Sequence, residues 1–405
     1  TITVIGGYKT TQTQIGADIY GEAAGDYSGT SVSFNEDHTI MAIGAPYNID
    51  NASDAGHVRV YQFNGSAWAQ LGADIDGEAA SDESGGSVSL SSDGTTLAIG
   101  SAYNSGTASN AGHVRVYKYN GTAWTQLGAD IDGEAASDFS GRSVSLSSDG
   151  TIVAIGAQYN DGTASNAGHV RVYQYNGTAW TKLGADIDGE AAGDGSGWSV
   201  SLSADGTIVA IGAAYNNGTA EDAGHVRVLK YIDGSWTQLG DDIDGEAASD
   251  WSGTSVSLSS DGTIVAIGAQ YNIGNGFNVG HVRVHKFNGS AWTQLGDDID
   301  GEASGDGSGY SVSLSSDGTI VAIGAWGNDG TASDAGHVRV YQHDGVENTW
   351  DKLGNDIDGE AAGDYSGVSV SLSADGTTLA IGADANDDSF SDAGHVRVYN
   401  LVNAN

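Results

Sequence analysis

The chain has 405 residues, 63 of them Gly, one Pro, one Met and no Cys, with a formal net charge of −39. An apolar fraction of 39% supports a packed core, the lack of Cys excludes disulfides and thiolate metal sites, and no apolar run reaches membrane-spanning length. So large a negative charge argues against nucleic acid and anionic membranes as partners, because both need cationic surface, and a soluble chain, a mature fragment, is expected.

Residues 8–19, YKTTQTQIGADI, open the pattern as an outer strand and the start of an acidic link, matching the later phrase NGTAWTQLGADI. The tag Gly-His-Val-Arg-Val then recurs with its His at 57, 113, 169, 225, 281, 337 and 395. The steps are 56 residues until the last, which is 58 because HDGVENTW carries two extra residues. A fixed period of this size signals a repeat architecture. In the second unit four strands are expected: 87–91, 95–100, 113–119 and 123–128. They alternate Val and Leu against Ser, or Val against His, Arg and Tyr. Asp93-Gly94 and Asn120-Gly121 between them read as type I′ hairpin turns. The last unit stops at GHVRVYNLVNAN, one strand short. Residues 1–405 therefore read as a single all-β domain, a seven-bladed β-propeller of four-stranded antiparallel blades, with residues 8–19 completing the seventh blade.

The phrases SGRSVSLS, DGTIVAIGAQYN and AGHVRVYQYNG, repeated over nearly the whole chain, resemble the FG-GAP repeat of integrin α-chain-type propellers. The resemblance rests on the Gly-x-Ser-Val opening, on Ala-Ile-Gly-Ala (followed once by Pro46) and on the Gly-x-Val-x-Val strand. It implies a seven-bladed propeller on an extracellular or cell-surface protein with an adhesive or ligand-binding role. The family's calcium loop between the first two strands is replaced here by the short SSDGT, so calcium does not carry over to that place.

Several residue sets are candidates for function. The acidic link Asp130, Asp132, Glu134 and Asp138, with its equivalents Asp186, Asp188, Glu190 and Asp194, offers clustered oxygens suited to calcium. The competing reading has these carboxylates capping turns and pairing with the Arg of the tag strand. The tag His and the Trp of each outer strand read as blade-to-blade packing. Asn-Gly-Ser/Thr sequences fit the glycosylation rule but also the turns they occupy.

The positions that break the repeat are the more informative ones. A pair flanking Ser-Gly before each inner strand, and one position after each second strand, vary from unit to unit. They place Tyr27, Phe139, Arg142, Trp198, Trp251, Tyr310, Trp326 and Tyr365 at one face around the central channel, a composition suited to recognition. The expectation is a secreted or surface adhesion module that binds a glycan or extracellular protein there, with no membrane insertion. A scaffold or filament module is the alternative, and a calcium-dependent adhesin or a glycoside-acting enzyme is less favoured. No nucleophile elbow, phosphate loop or unique His singles out a catalytic residue, so no enzyme is expected.

Overall fold

The structure is a computed structural model that describes residues 12–274 and 276–401. It is a seven-bladed β-propeller whose described regular elements are all strands. In the second blade the strands are Ser87–Leu90, Thr96–Ser101, His113–Tyr119 and Trp124–Gln126, each antiparallel to its neighbour. A fifth element, Ile131–Asp132, was not expected from the sequence. It lies inside the acidic link and pairs with the third strand at His113 and Val114. The outer strand is too short to cover the long third strand, and this fragment takes up the remaining edge.

The seventh sheet is assembled from both ends of the described chain. Thr13–Gln14 pairs antiparallel with His395–Asn400, and Ile19–Tyr20 lies beside the same strand. Residues 8–11 of the expected closing strand lie outside the described residues.

The hairpin turns differ from type I′ expectation. At Asp93-Gly94 and Asn120-Gly121 only the Gly has positive φ, and both φ values are positive only at Asp233 and Gly234. The cause is side-chain capping. Asn120 Oδ1 accepts the backbone N–H of Thr122 and of Ala123, each at 3.0 Å, and the two-residue turn shifts to Gly121-Thr122, closed from the Asn120 N–H to the Ala123 carbonyl at 3.1 Å. Asp93 Oδ1 accepts the backbone N–H of Thr95 at 2.9 Å inside a longer turn closed from the Ser91 N–H to the Thr96 carbonyl at 2.9 Å.

Period-two alternation explains the assembly. On each inner strand the Val and Leu side chains enter an apolar cluster between blades, as where Val114, Val116 and Ile131 of one blade meet Val144, Leu146 and Ile155 of the next. The Ser side chains of the same strands face the other way and stitch neighbours together. Ser33 Oγ accepts the Leu90 N–H at 3.0 Å, and the same bond recurs around the ring until Ser371 Oγ accepts that of Phe34 at 3.0 Å. Small residues on one face and branched ones on the other let the blades approach closely near the axis.

Farther out the wedge is filled by Trp, Arg and His. The indole of Trp124 donates to the carbonyl of Leu71 in the preceding blade at 2.8 Å. Arg115 is nearly buried; it donates to the Asp76 carbonyl at 2.8 Å and lies 3.4 Å from Glu78. The Arg partner is thus the Glu of the preceding link, and it recurs at every junction from Arg59–Glu22 to Arg397–Glu360. Without that carboxylate a nearly buried guanidinium would be strongly destabilising.

Candidate active site

Each link delivers its chain to the channel mouth through one residue held at positive φ: Tyr27, Glu83, Phe139, Gly195, Trp251, Gly307 and Tyr365, all between 52° and 65°. Only Gly adopts this conformation freely; a bulky side chain costs on the order of 1 kcal/mol. Five blades nevertheless carry large side chains there. After the intervening Ser-Gly the turn closes by a backbone bond, as from Arg142 N–H to the Phe139 carbonyl at 3.1 Å. Both varying positions of a unit are therefore held together at the mouth.

The mouth opens into a cavity of about 590 Å³, within the range that holds small-molecule ligands. Of the sequence-expected residues, Tyr27, Phe139, Arg142, Trp198, Tyr310, Trp326 and Tyr365 line it. Trp251 does not; its ring packs between Tyr215 and Tyr271, with centroids 4.7 and 4.5 Å away. These side chains are half-buried against one another around the mouth. Phe139 meets Tyr103 and Tyr159 edge-on at 4.9 and 5.4 Å, and Trp326 meets Tyr365 at 5.3 Å. The Arg142 guanidinium sits 5.0 Å from the Trp198 ring centre, a cation–π contact that fixes its position.

The sequence reading left the cavity's chemistry unassigned. Two carboxylates line it, Glu83 and Asp384, and Arg142 is the one cationic side chain among the lining residues. Burial pushes the Glu83 carboxyl up to about 7, with the Asp54 charge adding to the rise, while the Tyr47 hydrogen bond and Arg142 oppose it. Burial likewise raises Asp384 to about 6, opposed by the Thr30 hydroxyl 3.2 Å from its Oδ2. Both carboxyls are thus raised in the same direction by the same cause, loss of water around the charged form, as is common at functional sites. Both stand in the varying columns, where each is the only carboxylate of its column; that was the available signal. Tyr47, Tyr103 and Tyr159 also line the mouth, although they recur in the repeat and read as scaffold.

The acidic link is distributed among separate partners. Asp130 accepts from Gln126 at 2.5 Å, Asp132 gives its backbone carbonyl to Arg171 at 2.7 Å, and Glu134 lies 3.3 Å from Arg171. Asp138 is buried and accepts from the Ala135 N–H and Asn160 Nδ2, both at 2.9 Å. In the next link Asp186 pairs with Lys182 at 2.8 Å, the Asp188 carbonyl and Glu190 carboxylate both face Arg227, and Asp194 caps the Ala191 N–H. The four carboxylates of one link thus do not converge on a common point.

No family model matches the chain, and no curated protein matches it. Among solved structures it is similar to a protein from Bacteroides uniformis presumed to be a 6-phosphogluconolactonase, with a TM-score of 0.58 at 11% identity over 82% of this chain and 86% of that one. It is also similar to the periplasmic gluconolactonase of Pseudomonas aeruginosa, with a TM-score of 0.55 at 15% identity over 82% and 87% of the two chains. At these identities the likeness is one of fold. Both neighbours are nonetheless named as lactonases, and the mouth of this chain is a concave pocket with two perturbed carboxylates. The expectation of a non-enzymatic adhesion module binding a glycan or extracellular protein, and its scaffold alternative, are corrected on these findings. No helix of the structure is long and apolar enough to cross a membrane.

Proposed function

We propose that the channel mouth is the active site of a hydrolase acting on a small, uncharged, sugar-type lactone. The observation that carries this reading is the pair Glu83 and Asp384, both raised toward neutrality in one cavity beside a fixed guanidinium. The names of the two fold neighbours agree with it. Asp384 is the general base. It takes a proton from water as the water oxygen bonds to the lactone carbonyl carbon. Arg142 stabilises the developing oxyanion. The ring C–O bond then breaks, and Glu83, still protonated below about 7, gives its proton to the departing alkoxide to leave a hydroxy acid. The aromatic walls offer faces to the sugar carbons. Two carboxylates against one Arg disfavour a phosphorylated substrate, so an uncharged lactone is preferred.

The test is release of acid from gluconolactone, measured against the spontaneous reaction for the full chain and for Glu83→Gln and Asp384→Asn. Equal rates with and without the wild-type protein would sink the proposal. On the same footing we propose an extracytoplasmic location, since one fold neighbour is periplasmic. Kinship with FG-GAP repeats is likewise a proposal that rests on the blade phrases alone.

A further inference from the structure

Away from the mouth, each tag histidine is buried against carboxylates that reach it from two directions. His57 has its ligand-type atoms within 4.8 Å of those of Glu22, Asp50 and Asp74. The same arrangement joins His113 to Glu78 and Asp130, and His395 to Glu360 and Asp18. In every case the Glu comes from the link before the blade, the His from its third strand, and an Asp from the turn behind its outer strand. We propose that these junctions are sites for a borderline divalent transition-metal cation, zinc in the first instance, with the four-donor His57 site the tightest.

Two further observations support the assignment. His57 is fully buried, yet neither ring nitrogen has a hydrogen-bond partner among the described residues, and the same holds for His395. A buried imidazole left unpaired is costly. Second, the spacing is wrong for direct hydrogen bonds. His395 Nδ1 is 3.9 Å from Glu360 Oε2, and His113 Nδ1 is 4.0 Å from Asp130 Oδ2, well beyond the ~2.7–3.2 Å of such a bond. It suits a cation placed roughly 2.0–2.2 Å from each donor.

The donor chemistry also selects the ion. Calcium takes oxygen ligands, whereas imidazole with carboxylates suits zinc and its neighbours. The Glu at each junction also faces the tag Arg, as Glu22 faces Arg59 at 3.5 Å. That positive neighbour weakens a cation site, and the extra carboxylate of Asp50 offsets it at His57. These sites are independent of the lactone chemistry and differ from a calcium cage within one acidic link.

The full chain, stripped with chelator, would be titrated calorimetrically with zinc and with calcium, and bound zinc counted by atomic absorption. Zinc should bind and raise the melting temperature while calcium does neither. The Asp50→Asn/Asp74→Asn double variant should lose the tightest class of zinc sites, and His57→Gln the same class. Should His57→Gln fail to fold, the carboxylate variant still decides, because Asp50 is exposed, Asp74 half-exposed, and their loss removes no core packing. Zinc binding unchanged by the carboxylate variant, equal binding of calcium, or no zinc binding would overturn the proposal.

Discussion

The two ends of the central channel come from the same repeats and differ in almost every functional respect. At the far end a smaller cavity of about 280 Å³ is lined by Leu, Ser and Ala in near-sevenfold order, with Phe34, Asn35 and Glu36 as the departures. Backbone bonds run from blade to blade there, as from Ser92 N–H to the Ser148 carbonyl at 2.9 Å. At the mouth the backbone is equally regular, with positive φ at the same position of all seven links, but the side chains are unlike one another. Symmetry in the backbone with asymmetry in the side chains sets the two ends apart, and it is the asymmetric mouth that the proposed function uses. Uniform residues optimise one contact repeated seven times; a small asymmetric substrate needs different groups on different sides.

That contrast can be broken most sharply at the mouth. Glu83→Gln and Asp384→Asn should each lower kcat for lactone hydrolysis by about 10²–10⁴-fold, with an intact melting transition. In the wild type kcat should peak between the two titrations, near 6 and near 7, falling below as Asp384 takes up its proton and above as Glu83 loses its own. A flat pH profile would remove these two groups from the chemistry.

At the far end, Leu258→Ala removes a buried side chain from a blade-to-blade cluster. It should cost about 2–4 kcal/mol of stability, seen in denaturant unfolding, and leave kcat/KM unchanged in the folded protein. If activity fell with stability intact, the division between the two ends would fail. Trp198→Ala should act the other way: it frees Arg142 from its cation–π contact, and KM should rise by about tenfold, a loss of about 1.4 kcal/mol.

The smallest effect is thermodynamic. Glu83 holds its proton to about 7 in the folded chain against an ordinary value of 4.5, so the stability linked to it is fully present below 4.5 and is lost as pH rises through 7. At pH 8 the charged group is a burden on the fold, and Glu83→Gln should raise stability by on the order of 1 kcal/mol once solvent screening is counted. Chemical denaturation of the two proteins at pH 5 and pH 8 checks the sign, since the gain should shrink at the lower pH.

Much of the architecture was legible before any coordinates. Repeated His57-type tags and Ser/Val alternation fix the four-stranded blade and the number of blades, because strand periodicity is a local property of sequence, whereas the fifth edge fragment at Ile131–Asp132 and the turn types emerged only in the fold. The Arg partner was expected among the carboxylates of a link, and the structure selects the Glu; the Asp138-type residue is consumed by capping its own loop. The site was half legible: seven of the eight expected residues line the mouth, while Trp251 faces its neighbours instead. Glu83 and Asp384 were visible as irregular letters without a role. They lie 301 positions apart in the chain, and only closure of the ring puts them in one cavity. Their raised titration comes from desolvation, a property of the folded surroundings that no local pattern encodes. Sequence alone thus determined the repeating backbone, whose causes act within one blade, and tertiary structure decided the chemistry of the mouth, whose causes act across the whole ring.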